Sequence, residues 1–212
     1  MLTPRLLAPL AAALALGACA TTPYTGPVEV TRFVAPSPAG LGSGTIALVF
    51  PDEVSNEAAR RAFTASVTAE LTRLGYTVVP EGVPASQTAS VRTSRSPITA
   101  APVERPGPVS VGVGAGGGSF GGAGFGGAGL GVGINLGGGR EGPAAMTELS
   151  VRIAAAEGAT LWEGRAQLTT GVKSPYSQVD ASARTLAAGL FRGFPGGNGE
   201  TVTIDVKKLQ GR

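Results

Sequence analysis

Apolar residues recur along this chain in two rhythms, one of period two and one near 3.6, and the rhythm changes where glycine and proline cluster. Val28 to Val34 carries β-formers of mixed polarity and predicts an edge strand. Thr45 to Phe50 (Thr-Ile-Ala-Leu-Val-Phe) is apolar on both faces, as a strand in the middle of a sheet is, and Pro51 stops it. Ala59, Phe63, Val67, Leu71 and Leu74 then fall at helical spacing, with Arg60, Arg61, Glu70 and Arg73 off that stripe or at its edge. Ser55 is placed to cap the first turn, Glu57 suits its positive end, and Gly75 ends the helix so that Tyr76 folds back towards Leu71. Tyr76 to Val79 reads as the strand beneath that helix.

Residues 80–108 hold six prolines and little periodicity apart from a short strand over Thr88 to Thr93. Further on, Thr147, Leu149, Val151 and Ile153 alternate with Glu148, Ser150 and Arg152. Glu157-Gly158 turns the chain, and Thr160, Trp162, Ala166 and Leu168 return on the matching face, which is a hairpin. Its other face is suited to pairing Glu148 or Arg152 with Arg165 or Glu163. A second helix follows, with Val179, Ala183, Leu186 and Leu190 on one side, Ser177 and Asp180 as an approximate capping box, and Gly193 and Pro195 ending it. Val202, Ile204 and Val206 make a last strand. Strands grouped in hairpins with only two helices predict an α+β fold: a mostly antiparallel sheet, two helices on one face, and a glycine-rich insertion.

The N-terminus reads as an address. Arg5 precedes an apolar run from Leu6 to Leu16, broken only by Pro9 and too short for the roughly 20 residues of a bilayer-spanning helix. A positive start, a short apolar segment and small residues describe a signal peptide, here residues 1–18. It ends in a lipobox: Leu16, Gly17, Ala18, then Cys19, the only cysteine and the expected site of lipid attachment. A lone thiol forms no internal disulfide and no multi-cysteine metal site, whereas acylation accounts for its position and its small neighbours. Stable anchoring needs two membrane signals, which a multiply acylated cysteine supplies. By resemblance to well-studied lipoproteins, in which an aspartate after the cysteine marks inner-membrane retention, Ala20 at that position implies the periplasmic face of the outer membrane. On this reading residues 19–27 are a lipidated tether, 28–206 a single periplasmic domain with its insertion at 109–140, and 207–212 a tail.

Charge narrows the partners. The chain carries 17 basic and 14 acidic residues, and loss of Arg5 with the signal leaves 16 against 14. With Lys207-Lys208 as an isolated pair and no basic patch interleaved with aromatics, nucleic acid is not an expected partner. Membrane, through N-terminal acyl groups, and proteins of the envelope are.

Gly112 to Gly139 holds 16 glycines in 28 residues, and no charge falls between Arg105 and Arg140. Val109, Val111, Val113 and Ala115 alternate on one side, as do Leu130, Val132, Ile134 and Leu136 on the other, which predicts strand-like flanks around a flexible tip. Gly114, Gly118, Gly122 and Gly126 are spaced as in a glycine zipper, but each glycine costs a water-exposed helix about 1 kcal/mol relative to alanine. Gly112-Val-Gly114-Ala-Gly-Gly117 matches the dinucleotide fingerprint in letter only, since no helix start follows and no acid appears until Glu141.

Catalytic candidates are few. There is no histidine, so histidine-dependent triads and metal sites are excluded, and neither a metal nor a cofactor is expected. Glu148 and Glu163 are the one carboxylate pair that neighbouring strands bring within reach, on a face where solvated charges are ordinary. Lys173 and Ser174 are sequence neighbours whose side chains diverge, and Trp162 is either a stacking platform or core. No catalytic residue is assigned. The residues describe a non-enzymatic protein.

The lipobox, the strand–helix pair ending in Leu74-Gly75-Tyr76, the Val-Gly alternation and Leu161-Trp162-Glu163-Gly164 together resemble a family of uncharacterised Gram-negative envelope lipoproteins, domain of unknown function 4136. The similarity spans most of residues 28–206 and departs near Thr88, where the family has a strongly hydrophobic, acid-containing strand. It implies an α+β periplasmic domain with no established activity. The functional expectation is a structural, assembly or protein-interaction role in the envelope, with a binder of small molecules or lipids as the alternative.

Overall fold

The structure is a computed structural model, described here for residues 23–51, 56–98 and 143–209. The lipobox and signal segment, Ser55 and the insertion at 109–140 lie outside the described residues. Seven strands form one sheet: β1 (Thr25–Val34), β2 (Thr45–Val49), β3 (Thr77–Val79), β4 (Gln87–Ile98), β5 (Ala144–Ala155), β6 (Thr160–Gly171) and β7 (Glu200–Ile204). Two helices, α1 (Glu57–Arg73) and α2 (Val179–Leu190), complete the α+β fold in the order the periodicity predicts.

Across the sheet the order is β3-β2-β4-β5-β6-β1-β7. β2 runs parallel to β3 and β4, and every other neighbour pair is antiparallel. The predicted edge strand at 28–34 is therefore a correction. β1 lies inside the sheet, with Val28 opposite Leu168 of β6 on one side and Ile204 of β7 on the other. Val28 and Val30 are fully buried, and β7 pairs along the side of the strand that an edge would leave free. Domain limits shift as well. Thr25 to Pro27, read as tether, belong to β1, and Leu209, read as tail, is buried in a 3-10 turn at Val206–Leu209. The last strand stops at Ile204 because Asp205 turns the chain, its side chain accepting from Lys207 N at 2.8 Å.

Local chemistry accounts for the helix ends. At the start of α1 the cap is Asn56, whose Oδ1 accepts from Ala59 N at 3.0 Å. At its end Gly75 takes φ +104°, Gly75 N donates to Thr72 O and Tyr76 N to Leu71 O, which is a Schellman closure. The capping box expected at Ser177 and Asp180 does not form. Gln178 is the N-cap without a side-chain bond, because Ser177 sits in a preceding 3-10 turn with its hydroxyl directed at the carbonyls of Ser174 and Val172.

Phe63, Val67 and Leu71 from α1 and Ala183, Leu186 and Leu190 from α2 pack with Ile46, Val91, Leu149, Ile153, Trp162 and Leu168 of the sheet. Each large side chain so buried contributes roughly 1.5–3 kcal/mol. Gly164 makes room for this packing: a Cβ there would meet the Trp162 ring, and Leu190 Cδ1 at 2.8 Å. The opposite sheet face is polar and open, with Arg152, Glu163, Arg165, Thr201 and Thr203 exposed.

Candidate functional site

The two carboxylates singled out from the sequence are not brought together. Glu148 stands opposite Gln167 and Glu163 opposite Arg152, four rungs apart, which is about 13 Å along a strand. Glu148 is held structurally, accepting from Gln167 Nε2 at 2.8 Å and lying 3.5 Å from Arg165 Nε. The expected charge pairing on this face therefore forms for Glu148, while Arg152 turns to Thr160 Oγ1, with Nε at 2.8 Å. Ser174 is buried, its hydroxyl 2.7 Å from Thr25 Oγ1 and accepting from Tyr176 N, so it anchors the turn after β6. Trp162 is core: fully buried, stacked on Phe191 at 5.5 Å, with Nε1 donating to Pro195 O at 2.9 Å.

Two polar networks escaped the sequence reading. Arg32 is buried at the end of β1 and donates to Leu190 O (3.1 Å), Gly189 O (3.2 Å), Arg192 O (2.6 Å) and Glu200 Oε2 (3.2 Å). Its positive charge thus sits on the carbonyls that end α2, where the helix dipole favours a cation. Its place in phase with Val28 and Val30, on the buried face of the strand, is the one sequence signal that marks it. At the other side of the sheet the Tyr76 hydroxyl accepts from Gly42 N at 2.7 Å and bonds Gln87 Oε1 at 3.1 Å, while Gln87 Nε2 donates to Gly40 O and Ser43 O. Burial pushes the Tyr76 phenol above its ordinary range, an effect the Gly42 N–H partly offsets. Both networks hold the fold, and neither presents a reacting group to solvent.

Among the described residues two concave surfaces stand out. The first is an open, mainly apolar cleft of about 490 Å³ at one end of the sheet, lined by Arg95, Pro97, Ile98, Pro143, Ala144 and Val172. Ile98 and Ala144 are the last paired residues of β4 and β5, so residues 99–142 leave and re-enter the described fold on adjacent strands beside this cleft. The first residues of β1 share that end, Gly171 N donating to Tyr24 O at 2.9 Å. The second is a groove of about 380 Å³ between α1 and the β2–β3 edge. Arg60 spans it, 3.8 Å from Glu81 and 5.5 Å over the Phe50 ring. Among the described residues no three His, Cys, Asp or Glu side chains gather to hold a metal, and no helix is long and apolar enough to cross a membrane.

No family model and no curated protein matches the chain. Among solved structures it is similar to a PDZ domain protein from Parabacteroides distasonis, at 15% identity and a TM-score of 0.48 over 92% of this chain. The chain spans 42% of that protein's length. It is also similar to PelC from Paraburkholderia phytofirmans, a dodecamer, at 10% identity and a TM-score of 0.39, covering 76% of this chain and 92% of the other.

Proposed function

We propose that this protein is a lipid-anchored periplasmic domain, at the inner face of the outer membrane, that works in envelope structure or assembly through protein contacts and without catalysis. The observation that carries this reading is Leu16-Gly17-Ala18-Cys19 at the end of a short apolar run that follows Arg5. Supporting it, two of the polar side chains considered for chemistry are bonded within the fold: Glu148 to Gln167 and Arg165, Ser174 to Thr25 and Tyr176 N. The similarity to the uncharacterised envelope lipoprotein family agrees with this role and adds no activity.

Crosslinking in intact cells, with and without residues 109–136, tests it. The reading expects specific envelope proteins to be captured by the full chain and at least one to be lost on deletion. Identical capture profiles, or none above a non-specific background, would count against a role through protein contacts.

The groove between α1 and the β2–β3 edge supports a second reading, a binder of small molecules. Its mouth pairs a cation, an acid and an aromatic ring in Arg60, Glu81 and Phe50. Native mass spectrometry of the signal-less protein distinguishes the two: a retained ligand, lost on Phe50→Ala with the fold intact, favours the binder.

A further inference from the structure

We infer that the end of the sheet formed by Tyr24, Ile98, Pro143 and Val172 is the surface that rests on the lipid headgroups. The inference relies on the reading that Cys19 is acylated, and adds to it an orientation and a contact. Four residues separate Cys19 from Tyr24, so the five Cα-to-Cα steps between them reach at most about 18 Å when fully extended. The sheet is taller than that: the ten residues of β1 rise about 30 Å from Thr25 to Val34. A body tied at Tyr24 by so short a tether keeps the Tyr24 end at the membrane and the Arg32–Glu200 end away from it.

What the fold places at that end suits a bilayer interface. Among the described residues Val172 is one of three large apolar side chains left exposed, at 48%, and it borders the apolar cleft. Arg95 lines the same cleft, and the exposed Lys173 follows Val172 directly in the chain. Apolar side chains at the headgroup boundary with cations beside anionic lipid are the combination that strengthens an interfacial contact.

The test uses the full chain, purified with its acyl groups and carrying Val172→Cys labelled with an environment-sensitive fluorophore; acylation leaves Cys19 unreactive. Phe33→Cys, exposed near the opposite end of β1, is the control. In phosphatidylethanolamine–phosphatidylglycerol vesicles the probe at 172 is expected to shift to the blue and to be quenched by headgroup-proximal spin-labelled lipid several-fold more than the probe at 33. Equal behaviour at the two positions, with intact mass confirming the acyl groups, overturns the inference and leaves the anchor standing. A probe at 172 already shielded in the unacylated Cys19→Ser chain without vesicles overturns it too, because the protein's own chain then covers the cleft. An intact mass lacking acyl groups removes the anchor, and this inference with it.

Discussion

The Nε–H of Arg32 donates to the carbonyl oxygen of Leu190 at 3.1 Å, tying β1 to the last turn of α2. Three more bonds radiate from the same guanidinium, to Gly189 O, Arg192 O and Glu200 Oε2. A planar fork with several donors meets this set, and a single ammonium does not. Arg32→Met is expected to cost about 3 kcal/mol, because it strands buried carbonyls that a charged donor satisfied. Arg32→Lys recovers only part of that. Glu200, whose side chain is 36% exposed, contributes less, and Glu200→Gln should cost no more than about 1 kcal/mol. Urea denaturation checks the ranking through the midpoints at constant slope.

Gly164→Ala reverses an ordinary expectation. Glycine within a strand is usually worse than alanine by roughly 0.5–1 kcal/mol. Here the added methyl group meets the Trp162 ring, with Cζ2 at 2.7 Å, and Leu190 Cδ1 at 2.8 Å. Overpacking of this kind costs about 1–3 kcal/mol, so the variant should melt lower than the parent. Thermal unfolding followed by tryptophan fluorescence reports both the loss and the disturbed indole.

Tyr76→Phe leaves Gly42 N and Gln87 short of a partner and is expected to cost about 1–2 kcal/mol at neutral pH. The phenol also predicts a pH dependence. Burial raises its pKa in the folded state above the unfolded value of 10.0, so the folded state holds the proton more tightly. The stabilisation from that proton is complete below pH 10.0 and is lost as pH rises through the folded pKa. Stability measured across the alkaline range should therefore fall more steeply in the parent than in the phenylalanine variant.

Glu148→Gln together with Glu163→Gln tests the absence of carboxylate chemistry. Both acids lie on the open face, and Glu148's pairing with a half-exposed Arg165 contributes at most about 1 kcal/mol. The double variant is expected to fold, to stay within about 1 kcal/mol of the parent, and to support the same cellular phenotype. Loss of that phenotype with the fold intact would point to a reaction at this face.

Element order was readable because each rhythm reports one physical requirement, a face that must be buried. The hairpin of β5 and β6, the stripe of α1 and the turn at Gly75 all follow from it. Neighbours across the sheet are another matter: nothing in Val28 to Val34 tells that β7 returns beside it, so an internal strand read as an edge. The strand predicted over Thr88 to Thr93 extends to Gln87–Ile98 because β5 pairs with all of it, although Ser94, Arg95 and Ser96 are polar and exposed. Arg32 carries no sequence mark beyond its phase with Val28 and Val30, since only the arrival of the α2 carbonyls makes a buried arginine tolerable. The site expected at Cys19 lies outside the described residues, and its legibility is wholly in the sequence.

Mass spectrometry of the N-terminal peptide from protein extracted with detergent from intact envelopes tests the central claim most directly. The account predicts a peptide beginning at Cys19 and carrying fatty acyl groups, with the Cys19→Ala chain unprocessed and unmodified. A peptide that begins elsewhere, or a Cys19 bearing a free thiol, would contradict it.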